Sequence, residues 1–300
     1  MTTTVNAARQ PGLSNEAAQA SRLRKFLQWA RREPAAAAAI AFLALLGAML
    51  ALAPLITWHL PETQDFVNTL QGPSWNHPFG TDDLGRDMWA RVIFGGRVSI
   101  SAAFLAVIVA TVLGVPIGVL TGYLGGKFDD IAMRVVDTLM SFPAIILAIA
   151  VTAALGPGVN NAMIAVGIVL APIYARLMRG QVMSVKGDLY VEAARSYGAR
   201  HREVVLRHII PNSIQPVIVQ SALTLAVALI AEASLSFLGL GVQPPQSSWG
   251  SVLGRAYRNM YHDATQMLYP GGAILLTVLC FNTLGDTLRV LLDPITRRSR

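Results

Sequence analysis

Five stretches of this chain carry no Asp, Glu, Lys or Arg: 34–61, 98–126, 138–175, 209–231 and 264–285. A hydrocarbon core of about 30 Å is crossed by roughly 20 apolar residues in helix, so four of these runs fit one span each. The run 138–175 is too long for one span, and Gly156-Pro157-Gly158 with Asn160-Asn161 interrupts it, which predicts two helices and a tight turn. Six spans follow, near 35–58, 98–122, 131–155, 161–179, 212–238 and 268–290. Only helices or closed barrels satisfy every backbone group in lipid, and the short alternating segments of barrel strands are absent. The expected fold class is therefore an all-α polytopic membrane protein.

Lys and Arg orient it. With an inside N-terminus, 19 of the 24 fall on the inner segments, and both termini are expected to be cytoplasmic. The net charge of +7 then needs no nucleic-acid partner. The first apolar run exceeds the 7–15 residues of a signal-peptide core, so it reads as an uncleaved span despite Ala51-Leu52-Ala53. Phe26 and Trp29 among Arg24, Lys25, Arg31 and Arg32 suit a helix lying at the lipid surface. The expected organisation is a tail over 1–33, a membrane domain over 34–294 and a short tail over 295–300.

Chemistry is sparse. The Gly126-Lys127 pair is followed by Phe128 and lacks the upstream glycine of a phosphate loop, so the chain itself is not expected to hydrolyse ATP. His59, His77, His201, His208 and His262 are scattered, and no metal site, cofactor or catalytic residue is expected. Asp82, Asp83 and Asp87 lack calcium-loop spacing and suit turns and caps. Arg134 and Asp137, three apart, are expected to pair on one helix face. Glu232, inside the fifth span, is either a gate or pathway residue or a structural hydrogen-bond partner. Pro54, Pro116, Pro143, Pro172 and Pro216 interrupt apolar spans.

The inner loop over 176–212 is the most patterned segment. Asp188 is placed to cap a helix reaching Tyr197, Gly198 to allow a sharp turn, and 199–210 to form a second helix that Pro211 ends. Small Ala193 and Ala194 beside the turn let another protein approach closely.

At this loop the chain resembles a known family. Glu192-Ala193-Ala194, three residues, Gly198, then nine residues and a segment closing on Pro211 resemble the EAA motif of ABC-type importer permeases. His208 and Ile210 stand where the family pattern has Ile and Leu. The segment His77-Pro78-Phe79-Gly80-Thr81-Asp82-Asp83-Leu84-Gly85-Arg86-Asp87 is similar to the one before the second span of dipeptide/oligopeptide permeases. So are Gly122-Tyr123-Leu124-Gly125-Gly126 with Met133–Asp137, Ser236–Gly241 with Gln243-Pro244-Pro245 and Trp249-Gly250, and Phe281-Asn282 with Gly285-Asp286 and Leu292-Asp293-Pro294. The resemblance spans roughly 34–294 and favours the C-type subunit of the permease pair. It implies a bacterial inner-membrane location, a second related permease, two ATP-binding subunits, an extracytoplasmic substrate-binding protein, and import of peptides or related small polar solutes. It further implies that the loop 180–211 is a coupling helix, with Tyr190, Glu192, Ala193, Ala194, Gly198 and Arg200 meeting the ATPase. An ion-coupled secondary transporter and a non-transporting scaffold for a cytosolic partner are the alternative readings.

Overall fold

The computed structural model describes residues 30–31 and 33–292. The expected surface helix around Phe26 and Trp29 and the tail 295–300 lie outside the described residues. Among those described there is no strand, and the helices run α1 Pro34–Ala51, α2 Ala53–Ile56, α3 Met88–Leu124, α4 Gly126–Met140, α5 Ala144–Leu155, α6 Val159–Lys186 and α7 Leu189–Ser196. They continue with α8 His201–Glu203, a π-helical turn Val204–Ile209, α9 Ile210–Ser213, α10 Gln215–Phe237, α11 Trp249–Arg258, a 3₁₀ turn Ala264–Met267 and α12 Leu268–Leu292. Five helices are long and apolar enough to cross a membrane, and six spans result if the bent pair α4–α5 is one.

That pair lies where the third span is expected, over 131–155, and it bends by 95° at Ser141-Phe142-Pro143, where Pro143 interrupts the apolar run. Pro143 offers no N–H to the turn before it and pushes Phe142 out of the helical region, so the helix stops and restarts. The expected Arg134–Asp137 pair does not form. Asp137 instead meets Arg176 of α6 at 2.5 Å, and Asp129 takes Arg179 of α6 in a two-pronged bond of 2.6 Å per arm. The forked guanidiniums reach across between helices and pin α4 onto α6. The turn between α5 and α6 falls at Gly156-Pro157-Gly158 as expected, with both glycines at positive φ. Gly158 N–H also bonds the Leu240 carbonyl at 3.2 Å.

The first span is shorter than expected. α1 ends at Ala51 because Pro54 has no N–H for the Leu50 carbonyl four residues back. Arg97 of α3 takes the exposed end: Nε donates to the Leu50 carbonyl at 2.5 Å and Nη2 to the Ala51 carbonyl at 2.9 Å. Arg97→Met, which keeps the stem and removes the donors, is expected to lower the melting temperature of the purified chain by several degrees, since two helix-end carbonyls lose charged donors worth about 1.5–3 kcal/mol each. An unshifted melt would refute that role.

α3 is the axle. At 37 residues it runs about 55 Å, well beyond a hydrocarbon core. Asp87 caps it, accepting from Ala90 N–H at 2.8 Å. Its Gly114, Gly118 and Gly122 form a seam against α6. A Cβ there would lie 2.4 Å from the Ala171 carbonyl oxygen, 2.4 Å from that of Ala175 and 2.8 Å from that of Arg179. The partners advance in step with the glycines, so α3 and α6 run parallel with backbones nearly touching, as small residues every fourth position permit. Along its opposite side α3 exposes Phe104, Ile108, Val112, Ile117 and Leu120.

The connection 57–87 is held by polar turns, as expected for Asp82 and Asp87, whereas Asp83 forms a long-range ion pair instead. Asp82 accepts from Leu84 N–H, Arg86 N–H and Arg86 Nε at 2.9, 3.0 and 2.8 Å, and Asp83 holds Arg255 of α11 at 3.0 Å. Trp249 of α11 is fully buried and donates Nε1–H to the Val92 carbonyl at 2.8 Å.

Candidate coupling surface

α3 and α6, being parallel, end together, and the loop 187–213 caps that end. Gly187 closes α6. Asp188 takes the N-cap position of α7 through its backbone: Val191 and Glu192 N–H donate to its carbonyl at 2.9 and 3.2 Å. Its side chain makes no capping bond, contrary to the expectation from sequence, and faces Tyr190 instead. Partial burial, then the Asp188 charge and a hydrogen bond with it, hold the Tyr190 phenol above its ordinary pKa, so it is neutral at physiological pH.

The turn after α7 follows the expected course. Gly198 sits at φ +82, Gly198 N–H bonds the Arg195 carbonyl at 2.9 Å and Ala199 N–H bonds the Ala194 carbonyl at 3.1 Å. This double bond pattern closes a helix with a left-handed residue and satisfies its last carbonyls. The following helix does not end at Pro211. It widens into the π turn Val204–Ile209 and runs on through Ser213. Pro211 lies in the first turn of α9, where a missing N–H costs least, and the π turn absorbs the change of ladder.

Side chains divide this loop into a root and a face. Val191, Val204 and Ile209 have no exposure and join the core. Tyr123, at the end of α3, is the hub of the root: its hydroxyl lies 2.6 Å from His201 Nδ1, and its carbonyl accepts from Lys186 Nζ at 2.7 Å. Lys186 and Arg195 each carry their charge 5.5 Å from its ring centre. One tyrosine thus ties α3, α6, α7 and α8. On α7 the outward face runs Leu189, Ala193, Ser196 and Tyr197, with Leu189 82% and Tyr197 91% exposed. Glu192 and Arg200 are exposed too, and neither side chain has a hydrogen bond or ion pair among the described residues.

The fold therefore gathers Tyr190, Glu192, Ala193, Ala194, Gly198 and Arg200 on one projection, with Ala194 half-buried at its base. Glu232 is elsewhere. It lies about 25 Å along α10 from the loop end, is 1% exposed, and accepts from Ser236 Oγ at 2.7 Å, while Ser236 Oγ accepts from Val242 N–H at 3.2 Å. That arrangement fastens the turn after α10, while the second carboxylate oxygen, Glu232 Oε2, is buried without a hydrogen-bond partner among the described residues, so both readings of Glu232 stay open. Two features of this surface escape the sequence reading. Tyr123 carries no local signal of its role in Gly122-Tyr123-Leu124, whereas the glycine seam is signalled by small residues at every fourth position.

The chain is similar to known proteins along most of its length. Residues 114–298 match the family described as "Binding-protein-dependent transport system inner membrane component". The chain is 42% identical over 242 residues to the dipeptide transport system permease protein DppC of Alkalihalophilus pseudofirmus, covering 81% of this chain and 80% of that one. It is 41% identical over 271 residues to the glutathione transport system permease protein GsiD of Pectobacterium atrosepticum, covering 90% and 89%. Its fold is similar to that of a chain of the MetNI methionine ABC transporter in an inward-facing conformation, with a TM-score of 0.56 at 21% identity over 69% of this chain and 98% of that one. With its bundle of apolar helices, its family-model match over more than half its length and these relatives, the chain belongs to the binding-protein-dependent transport system inner membrane components, the multi-pass permease proteins of bacterial ABC importers.

Proposed function

We propose that this chain is one of two related permeases in an inner-membrane ABC importer for peptides or related small polar solutes, driven by two ATP-binding subunits and fed by an extracytoplasmic binding protein. Relatives named for dipeptide and glutathione transport support the cargo class. The loop end of the fold faces the cytoplasm together with both termini, in keeping with the excess of Lys and Arg on that side. The apolar stripe on α3 faces lipid or the second permease.

The observation that carries the coupling role is the face of α7. Exposed Leu189 and Tyr197 flank small Ala193, with the unpaired charges of Glu192 and Arg200 beside them, on a projection whose root is locked to α3 and α6. An aromatic and an aliphatic anchor around a small-residue notch suit a groove in a partner protein. When the ATPase pair closes on nucleotide, this projection moves with it. Because α3 and α6 are packed backbone to backbone, the displacement reaches the far ends of both helices as one rigid movement, which alternates access to the pathway.

A cross-link tests this. The chain has one cysteine, Cys280, so Cys280→Ser with Ala193→Cys gives a single thiol on the projection. In the assembled transporter that thiol is expected to join a cysteine placed in the ATP-binding subunit, with a yield that changes when nucleotide is added. Failure to reach any ATP-binding subunit, while the complex transports, would remove the coupling role.

A further inference from the structure

At the other end of α3 the fold assembles three side chains that lie far apart in sequence. His59 follows α2, His77 lies in the connection, and Asp87 caps α3, yet one donor atom from each lies within 4.8 Å of the other two. His77 Nδ1 is 3.0 Å from Asp87 Oδ1. The second oxygen of Asp87 is held by Ala90 N–H at 2.8 Å, so the helix fixes the carboxylate and presents Oδ1 toward the histidines. The side chains of Asp87 and His77 are 2% and 16% exposed. The His59 ring stacks on that of His77, centres 4.8 Å apart, and its buried Nδ1 has no hydrogen-bond partner.

A structural His–Asp pair accounts for His77 and Asp87. It leaves His59 unexplained, because a buried imidazole nitrogen ordinarily finds a partner. The geometry points to a site for a divalent cation of the zinc class, held by His59, His77 and Asp87 with water in the fourth position. Two imidazoles and a carboxylate suit zinc and similar borderline cations, whereas magnesium and calcium select oxygen donors. Bonds of about 2.0–2.2 Å in a tetrahedron set donor separations of about 3.4 Å. The His77–Asp87 spacing of 3.0 Å falls near that value, and binding requires the remaining separations, up to 4.8 Å, to shorten by a movement of His59. Bound there, the cation ties the outer end of the first span to the first turn of α3 across the connection 57–87. This site is separate from the coupling projection and owes nothing to the choice of cargo.

The test uses the full chain, purified in detergent without a histidine tag and stripped with chelator, and the probe is zinc alone. Titration calorimetry and elemental analysis after gel filtration are expected to give one zinc per chain at micromolar metal. His59→Ala is expected to weaken binding at least about tenfold, while His262→Ala, at an exposed histidine outside the cluster, leaves it unchanged. Cobalt(II) added to the unmutated chain is expected to show the intense visible bands of a four-coordinate site, which keeps the proposal testable should His59→Ala fold poorly. Unstoichiometric zinc, binding indifferent to His59→Ala in a folded variant, or cobalt spectra of a six-coordinate ion would each overturn it, the last two marking adventitious metal.

Discussion

Gly118→Leu is expected to abolish accumulation of the folded chain. Gly118 lies at the middle of the α3–α6 seam, and any Cβ there meets the Ala175 carbonyl oxygen at 2.4 Å, Met178 Cβ at 2.7 Å and Arg179 N at 2.9 Å. Two of those three atoms are backbone, so no rotamer change relieves the clash. The helices must separate, and the close packing that replaces the hydrophobic effect between spans in lipid is lost along the whole seam. Overpacking a well-filled contact typically costs about 1–3 kcal/mol and occasionally more; a four-carbon side chain driven into main chain at the centre of the seam belongs above that range, against a total stability of about 5–15 kcal/mol. Detergent extraction followed by gel filtration should show aggregate in place of a single peak. Gly180, on the same α6 but with nothing within 4 Å of its would-be Cβ, supplies the contrast: Gly180→Ala is expected to match the parent within about 0.5 kcal/mol. A monodisperse Gly118→Leu protein melting with the parent would show that the seam does not hold the bundle.

What was legible follows from which signals are local. Charge-free length reports a span directly, so the apolar helices and the Gly156–Gly158 turn were readable. Gly198 was readable because a left-handed turn after a helix is a one-residue requirement. Where a helix breaks within an apolar run was harder. Pro54 and Pro143 end helices, whereas Pro116 and Pro172 sit inside α3 and α6, and the bonds that settle such an end can be remote: beside Pro54 the Leu50 carbonyl is taken by Arg97, 47 residues away. Ion pairing failed for a related reason. Arg134 and Asp137 share a helix face, but α6 packs beside α4 and brings Arg176 within hydrogen-bond distance of Asp137. The residues proposed for coupling were placed by resemblance, and the fold shows only that they share one projection, not what that projection meets. Their root, Tyr123 with His201, joins residues 78 apart and is invisible to any short pattern. So is the meeting of His59, His77 and Asp87.

Substitution at Gly198 separates conformation from bulk and should disconnect ATP hydrolysis from uptake. No atom lies within 4 Å of a Cβ built at Gly198, so a side chain meets no obstacle within the chain, and φ of +82 is the only intrinsic penalty. That penalty is least for Asn, larger for Ala and largest for β-branched Val. If the projection is a lever, uptake should fall in the order Asn, Ala, Val, with Val down by about tenfold, since about 1.4 kcal/mol against the left-handed turn depopulates it tenfold. The complex should still assemble, because Val191, Val204 and Ile209 root the loop independently of the turn. Basal ATP hydrolysis should persist while its stimulation by cargo-loaded binding protein is lost. Tyr123→Phe, which removes only the hydroxyl bond to His201, should have a smaller effect of the same kind, whereas Tyr123→Ala also removes the ring beneath Lys186 and Arg195 and should approach Gly198→Val. Uptake that tracks side-chain volume, with Asn as damaging as Val, would place the role of Gly198 in contact with the partner and not in the turn; parental uptake in all three variants would mean that the turn transmits nothing.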